Sequence, residues 1–420
     1  AQTSQGSSKM LHGGIRYLET FDFGLVSEAL EEKNLWLKLA PHLCSEREFH
    51  LPVYAGTKWP LPFVRLGLFL YDVLSHFQNR PSGQADAELT LQRYPQLNPK
   101  GLKGAGTYFD GIIDDHKLSF ECLWDGELEP RAQALNYQEV RGVKTGEVNE
   151  ITHRDARSGK TIVSKARYVV FATGPFTDKL MVDWGIPWDP VLLPSKGVHL
   201  WLKPGSLQLH GPLVLPAKDG RVVFVIPQRH SILVGTTETE VVEDMYNIKA
   251  TDEDVNYLLG VLKDYFPTSD VRHEHVLSTF AAVRPLVREH GSSDRGKTSR
   301  HHRVFRPTPQ TYVLIGGKYT TFRKMAQDVC RELVVRLGVP YDSTLTMNPL
   351  RRLSQVGTFE NTEVTEAKVE AIIAHEKPLT MEDLVHRRLS WLKDWKEYSE
   401  IGGRSKAHWE ERLKSRNSRP

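Results

Sequence analysis

Residues 311–338 constrain the fold more than any other stretch of this sequence. TYVLIGG is a short apolar run that stops at two glycines, and it leads through Lys318 into TTFRKMAQDVCRELVVRLG. The first part reads as a buried strand. The second reads as a helix with a stop at Gly338. A strand that turns through Gly316-Gly317 into a helix opening near Thr320 or Thr321 puts unpaired N–H groups and the positive end of a helix dipole at the turn. That is the geometry of an anion site. It is not a triphosphate loop. Tyr312 stands where GxxxxGK[ST] needs its first glycine, and Tyr319 follows Lys318 where Ser or Thr is needed. On this segment alone, a plain glycine turn into a helix has equal weight.

Two other segments gather positive charge. SSKMLHGGIRYLE, residues 7–19, packs Lys9, His12, Arg16 and Tyr17 around Gly13-Gly14. Glycines let the backbone approach a ligand, and the cations suit a phosphate or another anion. AAVRPL places Arg284 among apolar residues, where a buried guanidinium needs a carboxylate or a ligand phosphate as partner. Arg300 and Arg303, beside His301 and His302, add charge. The strand Tyr168 to Ala172 stops at Thr173-Gly174-Pro175, a sharp turn suited to a ligand-facing edge. The negative charge that a reduced flavin ring carries near N1 fits the 316–321 turn better than a triphosphate does. Gly104-Ala105-Gly106 is a partial GxGxxG, but Phe109 occupies the last glycine position, so it is discounted. Asp114-Asp115 reads as a helix cap before it reads as an acid/base pair.

The rest of the chain supplies a scaffold. An amphipathic helix is expected over 20–43, with Leu25, Ala29, Leu30, Leu35 and Leu39 inward and Glu28, Glu31, Glu32 and Lys33 outward. LPFVRLGLFLYDVL, 61–74, reads first as a core helix and second as a helix lying on a membrane surface. Residues 76–106 read as loop with short elements. Period-two patterning from Glu139 predicts a β-meander that ends in the Tyr168–Ala172 strand, taken as buried. GVHLWL, RVVFVIP and SILVGTT predict one antiparallel sheet. Helices are expected over 252–266, 363–375 and 380–396, and the basic tail LKSRNSRP is expected to be solvated and frayed. The pattern is α/β or α+β with more than one domain.

Composition excludes several classes. A net charge of +3 gives no case for nucleic acid. Cys44, Cys122 and Cys330 are odd in number and far apart, which excludes a disulfide framework and a CxxC metal site and fits a reducing compartment. No apolar run reaches the length needed to span a bilayer, and AQTSQGSSK carries no leader-like apolar stretch. The start at Ala1, with no strand before the first element, suggests a fragment.

Taken in order, SSKMLHGGIRYLE, DDHKL, ATGPF, SKGVHL, VFVIP, VGTT, VRPL and GGKYTTFRKMA resemble the flavin-dependent glycerol-3-phosphate dehydrogenases and their oxygen-using relatives, the glycerophosphate oxidases. The resemblance is close over about residues 7–330. It implies an FAD-binding Rossmann-like domain of the glutathione-reductase type, an inserted antiparallel-sheet substrate domain and a C-terminal helical domain. The divisions expected are 1–45 with 107–180 and 306–340, then 46–106 with 181–305, then 346–420. It implies oxidation of sn-glycerol 3-phosphate to dihydroxyacetone phosphate, with FAD taking the hydride and a quinone taking the electrons. Electron transfer to oxygen, or a flavin-free remnant without catalysis, are the alternatives. Peripheral contact with the inner face of the cytoplasmic membrane and a homodimer belong to the same expectation.

Residue by residue, the resemblance implies His12 as base, since an unperturbed histidine titrates near pH 6.5. Lys318 would steady the developing alkoxide or the reduced flavin. Arg16, Arg284, Arg300 and the Tyr17 hydroxyl would hold the phosphate. Ser7, Ser8, Lys9, Gly13, Gly14, Thr173, Gly174, Gly316, Gly317, Lys318, Thr320 and Thr321 would border the cofactor. No metal is implied. The sequence departs from the family in lacking the strand–GxGxxG–helix unit that holds the flavin pyrophosphate, in a shorter stretch over Val334–Glu363, and in Glu238, where Asp is usual after VGTT.

Overall fold

The computed structural model describes residues 2–228, 231–241, 244–288, 301–351, 364–381, 383–389 and 400–417. Its largest feature is a ten-stranded sheet. One half pairs Met10–Leu11, Leu102–Ile113 and Cys44–Tyr54 in antiparallel register, with Gly83–Ala85 on its flank. The other half contains Leu213–Pro216, Val222–Gln228, Ser231–Gly235, Leu192–Leu202 and Val276–Val287. The halves join through a parallel pairing of Leu213 with His50.

Period-two alternation gives this sheet two apolar faces. Leu200, Leu202, Leu213, Leu215, Val223 and Val225 pack on one side against Leu258, Leu262 and Phe266 of the helix Asp252–Tyr265 and its end. Trp201, Val214 and Ile226 pack on the other, with Val26 and Leu30 of the helix Phe23–Leu39 and Leu68 and Tyr71 of the helix Leu61–Leu74. Each such fully buried side chain contributes roughly 1.5–3 kcal/mol of transfer free energy. The sheet runs through Cys44–Tyr54 and Leu102–Ile113, so the expected divisions at 46 and 107 fall inside strands.

A second sheet orders His302–Thr308, Thr311–Gly316 and Val169–Phe171, the last two parallel. The meander Gln138–Lys144, Asn149–Asp155, Thr161–Ala166 forms a third. A helical unit at the C-terminal end buries Val369, Ile372, Leu384, Val385, Trp409 and Leu413 together.

Five readings need correction. The stretch 76–106 holds short elements as expected, the strand Gly83–Ala85 and the helix Ala87–Arg93, but its end belongs to a long one, the twelve-residue strand Leu102–Ile113. In the helix Phe23–Leu39, Glu32 and Lys33 are buried rather than solvent-facing. The helix Phe322–Leu337 supplies Arg323 to Glu32, and Asn79 accepts from Lys33 at 2.8 Å, so both charges are met inside. The helix Leu61–Leu74 is not enclosed all round: Leu68, Tyr71 and Asp72 are buried, whereas Phe63, Leu66, Phe69 and Val73 are exposed. Only Phe171 of the Val169–Phe171 strand is buried, since that strand lies at the edge of its sheet. The tail is helical over Lys406–Asn417, because Trp409 and Leu413 stand one turn apart and both reach the C-terminal core. The helix expected over 380–396 is described only in part, with a turn at Asp383–Arg388.

Candidate active site

Sequence-distant segments meet at one cavity of about 2060 Å³. It lies where the chain leaves the parallel strands Val169–Phe171 and Thr311–Gly316 and meets the large sheet. Ligands of α/β folds bind at such carboxyl ends of parallel strands.

The turn after Thr311–Gly316 takes the form its glycines permit. Gly316 and Gly317 have φ of 78° and 75°, in the left-handed region. A short 3-10 turn, Tyr319–Thr321, then leads into the helix Phe322–Leu337. Gly316, Gly317, Lys318 and Thr320 line the cavity, and Thr321 is buried behind them. Thr173 and Gly174 line it from the neighbouring strand end.

The 7–19 segment crosses the same space. The Thr320 hydroxyl accepts the His12 N–H at 3.1 Å, and Lys318 donates to the Gly13 carbonyl at 3.2 Å. The Lys318 ammonium also lies 4.8 Å from the centre of the Tyr17 ring. Ser7, Ser8, His12, Gly14, Arg16 and Tyr17 line the cavity. Lys9 does something else. It is buried, and it donates to both carboxylate oxygens of Asp115 at 2.8 and 2.7 Å and to the Gln5 carbonyl at 3.0 Å. Its charge is therefore spent within the protein. Asp115 also accepts from Ser7 at 2.7 Å, and Asp114 caps the helix Asp115–Glu127. Burial favours a neutral Asp115, but the charges and hydrogen bonds of Lys9 and His116 outweigh it and hold the carboxyl well below the usual range.

Arg284 is half-buried and held on one side. It donates to Thr236 Oγ1 at 2.7 Å and to the Thr237 carbonyl at 3.2 Å, with Glu238 at 4.0 Å. Thr236, Glu238 and Arg284 all line the cavity. Arg300 lies outside the described residues. Gly13 is buried beneath the turn instead of lining the cavity.

His199 was missed by sequence reasoning, although SKGVHL was singled out. Its ring stacks on Phe280, with centroids 4.8 Å apart and planes 6° apart, and its Nε2 hydrogen-bonds Ser8 Oγ at 2.8 Å. It is buried on the cavity wall, and Nδ1 has no partner among the described residues. Burial first, then Arg284 and Lys9, push it well below the usual histidine range, so the ring is neutral. A histidine within the otherwise apolar run GVHLWL was the available signal.

The family follows from comparison. The model of the FAD dependent oxidoreductase family matches residues 1–319. This chain belongs to that family. An aerobic glycerol-3-phosphate dehydrogenase of Staphylococcus epidermidis is 31% identical over 398 residues, 92% of this chain and 70% of that one. An alpha-glycerophosphate oxidase of Streptococcus pneumoniae is 32% identical over 303 residues, 70% of this chain. The chain spans 50% of that relative's length. In structure, the FAD-complexed glycerol-3-phosphate dehydrogenase of Bacillus halodurans superposes with a TM-score of 0.65 at 25% identity, covering 83% of this chain and 60% of that one.

This chain has residues that fit a flavin ring. The left-handed Gly316-Gly317 turn, the Lys318 ammonium and the N-terminal turn of the following helix all border the cavity, and together they suit a ring that becomes anionic on reduction.

Proposed function

We propose that this chain oxidises sn-glycerol 3-phosphate to dihydroxyacetone phosphate with FAD as hydride acceptor. The observation that carries the reading is the convergence of Arg16, Arg284 and Lys318 with His12 and His199 on one cavity. A dianionic phosphate needs several cations, and each charge-assisted bond is worth roughly 1.5–3 kcal/mol.

The proposed roles are these. Arg284, fixed by Thr236 and Thr237, and Arg16 with the Tyr17 hydroxyl hold the phosphate. Arg300 is assigned to the same clamp by resemblance. His12, half-exposed at the cavity, accepts the proton of the C2 hydroxyl. His199, neutral and enclosed, orients that hydroxyl. Lys318 balances charge that develops on the oxygen or the ring. Ser7, Ser8, Gly14, Thr173, Gly174, Gly316, Gly317 and Thr320 border the cofactor, with Lys9, Gly13 and Thr321 supporting them from behind. FAD, when bound, supplies the acceptor for the hydride from C2.

A quinone is proposed as the next acceptor, at the inner face of the cytoplasmic membrane. Phe63 and Leu66 of the helix Leu61–Leu74 are exposed and also line the cavity, so the cavity opens beside an apolar surface. Among the described residues no helix is long and apolar enough to cross a membrane.

The test is the absorbance spectrum of the full protein with FAD, before and after anaerobic glycerol 3-phosphate. Bleaching of a protein-bound flavin band supports the reading, and retained flavin that never bleaches rejects it. Oxygen uptake with and without added quinone separates the two acceptors.

A further inference from the structure

The backbone of His12 and Gly13 is held by side chains from two distant parts of the chain. Thr320 and Lys318 supply the contacts on one side. On the other side, the Gly13 N–H donates to the Tyr71 hydroxyl at 2.8 Å. Tyr71 donates in turn to Asp110, whose carboxylate oxygens lie at 2.9 and 3.0 Å. Gly13 has no side chain because Tyr71 occupies the space: a Cβ there would lie 2.7 Å from the Tyr71 oxygen and 2.6 Å from Leu30.

Tyr71 and Asp110 are both enclosed, at 0% and 1% exposure, yet Asp110 reaches the cavity wall. The charged and titratable groups around Asp110 come from every element that packs on it. Lys33 comes from the helix Phe23–Leu39, Glu46 from the strand Cys44–Tyr54, Tyr71 from the helix Leu61–Leu74, and Tyr108 from its own strand, while Asp72 acts on Lys33. Lys33 is shared: it lies 3.5 Å from Glu46 and donates to Asn79 at 2.8 Å. Burial pushes Asp110 up, and Lys33, Tyr71 and the Gly13 N–H pull it back, leaving it at about 7. An aspartate placed there changes charge at neutral pH.

The charge matters to the turn. An ionised Asp110 polarises the Tyr71 hydroxyl and makes its oxygen a better acceptor for the Gly13 N–H. A protonated carboxyl gives a neutral bond of roughly half the strength. We propose that Asp110, acting through Tyr71, is a positioning residue that fixes the His12–Gly13–Gly14 turn beneath the substrate, and that its charge sets how firmly the turn is held. This inference rests on reading the cavity as the site of glycerol 3-phosphate oxidation.

The variants D110N and Y71F, in the full protein loaded with FAD, test it by two readouts. The first is turnover of glycerol 3-phosphate against pH. Arg284 is held by Thr236 and Thr237, away from the turn, and keeps its grip on the phosphate, so KM stays within about threefold while kcat falls about tenfold in both variants at alkaline pH. The ratio of wild-type to D110N kcat cancels ionisations common to both. It rises from near one at about pH 5.5 to about ten at about pH 8.5. A flat ratio, or a loss confined to KM, overturns the proposal. The second readout needs no activity. The native pKa of Asp110 is raised, so its stabilisation is present below about pH 4 and is lost as pH rises through about 7. The melting temperature of wild type relative to D110N therefore falls across that window, and a pH-independent difference overturns the proposal. Wild-type protein that never reduces its flavin with glycerol 3-phosphate instead refutes the reading of the cavity, while the melting curves still report on Asp110.

Discussion

The Arg284 guanidinium crosses the strand that carries Gly197 and donates to Thr236 Oγ1 at 2.7 Å. Gly197 pairs with Ala282 on the Arg284 strand, and Thr236 follows the strand paired on the other side. A Cβ at position 197 would lie 2.3 Å from the guanidinium. Gly235 does the same for His199, where a Cβ would lie 2.1 Å from the ring. Two glycines thus make room for these two polar side chains.

Gly197→Ala is expected to push Arg284 off Thr236. The KM for glycerol 3-phosphate should rise about tenfold to a hundredfold, which is one charge-assisted bond, with flavin still bound. Steady-state kinetics at saturating FAD reads this. An unchanged KM would remove Arg284 from the phosphate clamp.

The two histidines should separate by kinetic signature. His12→Gln should lower kcat by about 100-fold to 10,000-fold, the range for loss of a general base, with KM little changed. His199→Gln should cost less in kcat and more in KM, because burial, Arg284 and Lys9 make that ring a poor proton acceptor and leave it to orient the hydroxyl. The opposite ranking would assign the base to His199.

Lys318→Met removes the ammonium beside the Gly316-Gly317 turn and the bond to the Gly13 carbonyl. Slower flavin reduction in anaerobic stopped flow, by about 100-fold to 1,000-fold, is expected from loss of one preorganised electrostatic contact. A rate within about twofold of wild type would dismiss that role.

Asp115→Asn leaves the buried Lys9 ammonium without its counter-charge. Urea denaturation should show a loss of about 3–5 kcal/mol at neutral pH. The folded pKa of Asp115 is depressed, so its contribution is present above about pH 4 and is lost as pH falls through the folded value. The gap between wild type and D115N should therefore narrow in acid. A gap that is constant with pH would mean the pair is not ionised.

What the sequence determined by itself was local. A strand stopped by Gly316-Gly317 and followed by a helix at 3.6-residue spacing is written in adjacent residues, as are the meander from Glu139 and the strands GVHLWL, RVVFVIP and SILVGTT. The order of the motifs carried the family. Burial was decided by tertiary structure, because it depends on which elements pack together. Glu32 and Lys33 look like one polar helix face, yet Arg323 and Asn79, both far along the chain, make that face an interior. The 61–74 helix looks like core, yet Phe63, Leu66 and Phe69 stay more than half exposed. Lys9 looks like a ligand cation until Asp115, 106 residues away, takes its charge. His199, Arg284 and Lys318 become a site only because strand register sets the first two on one sheet face and a left-handed glycine turn aims the third at the same cavity.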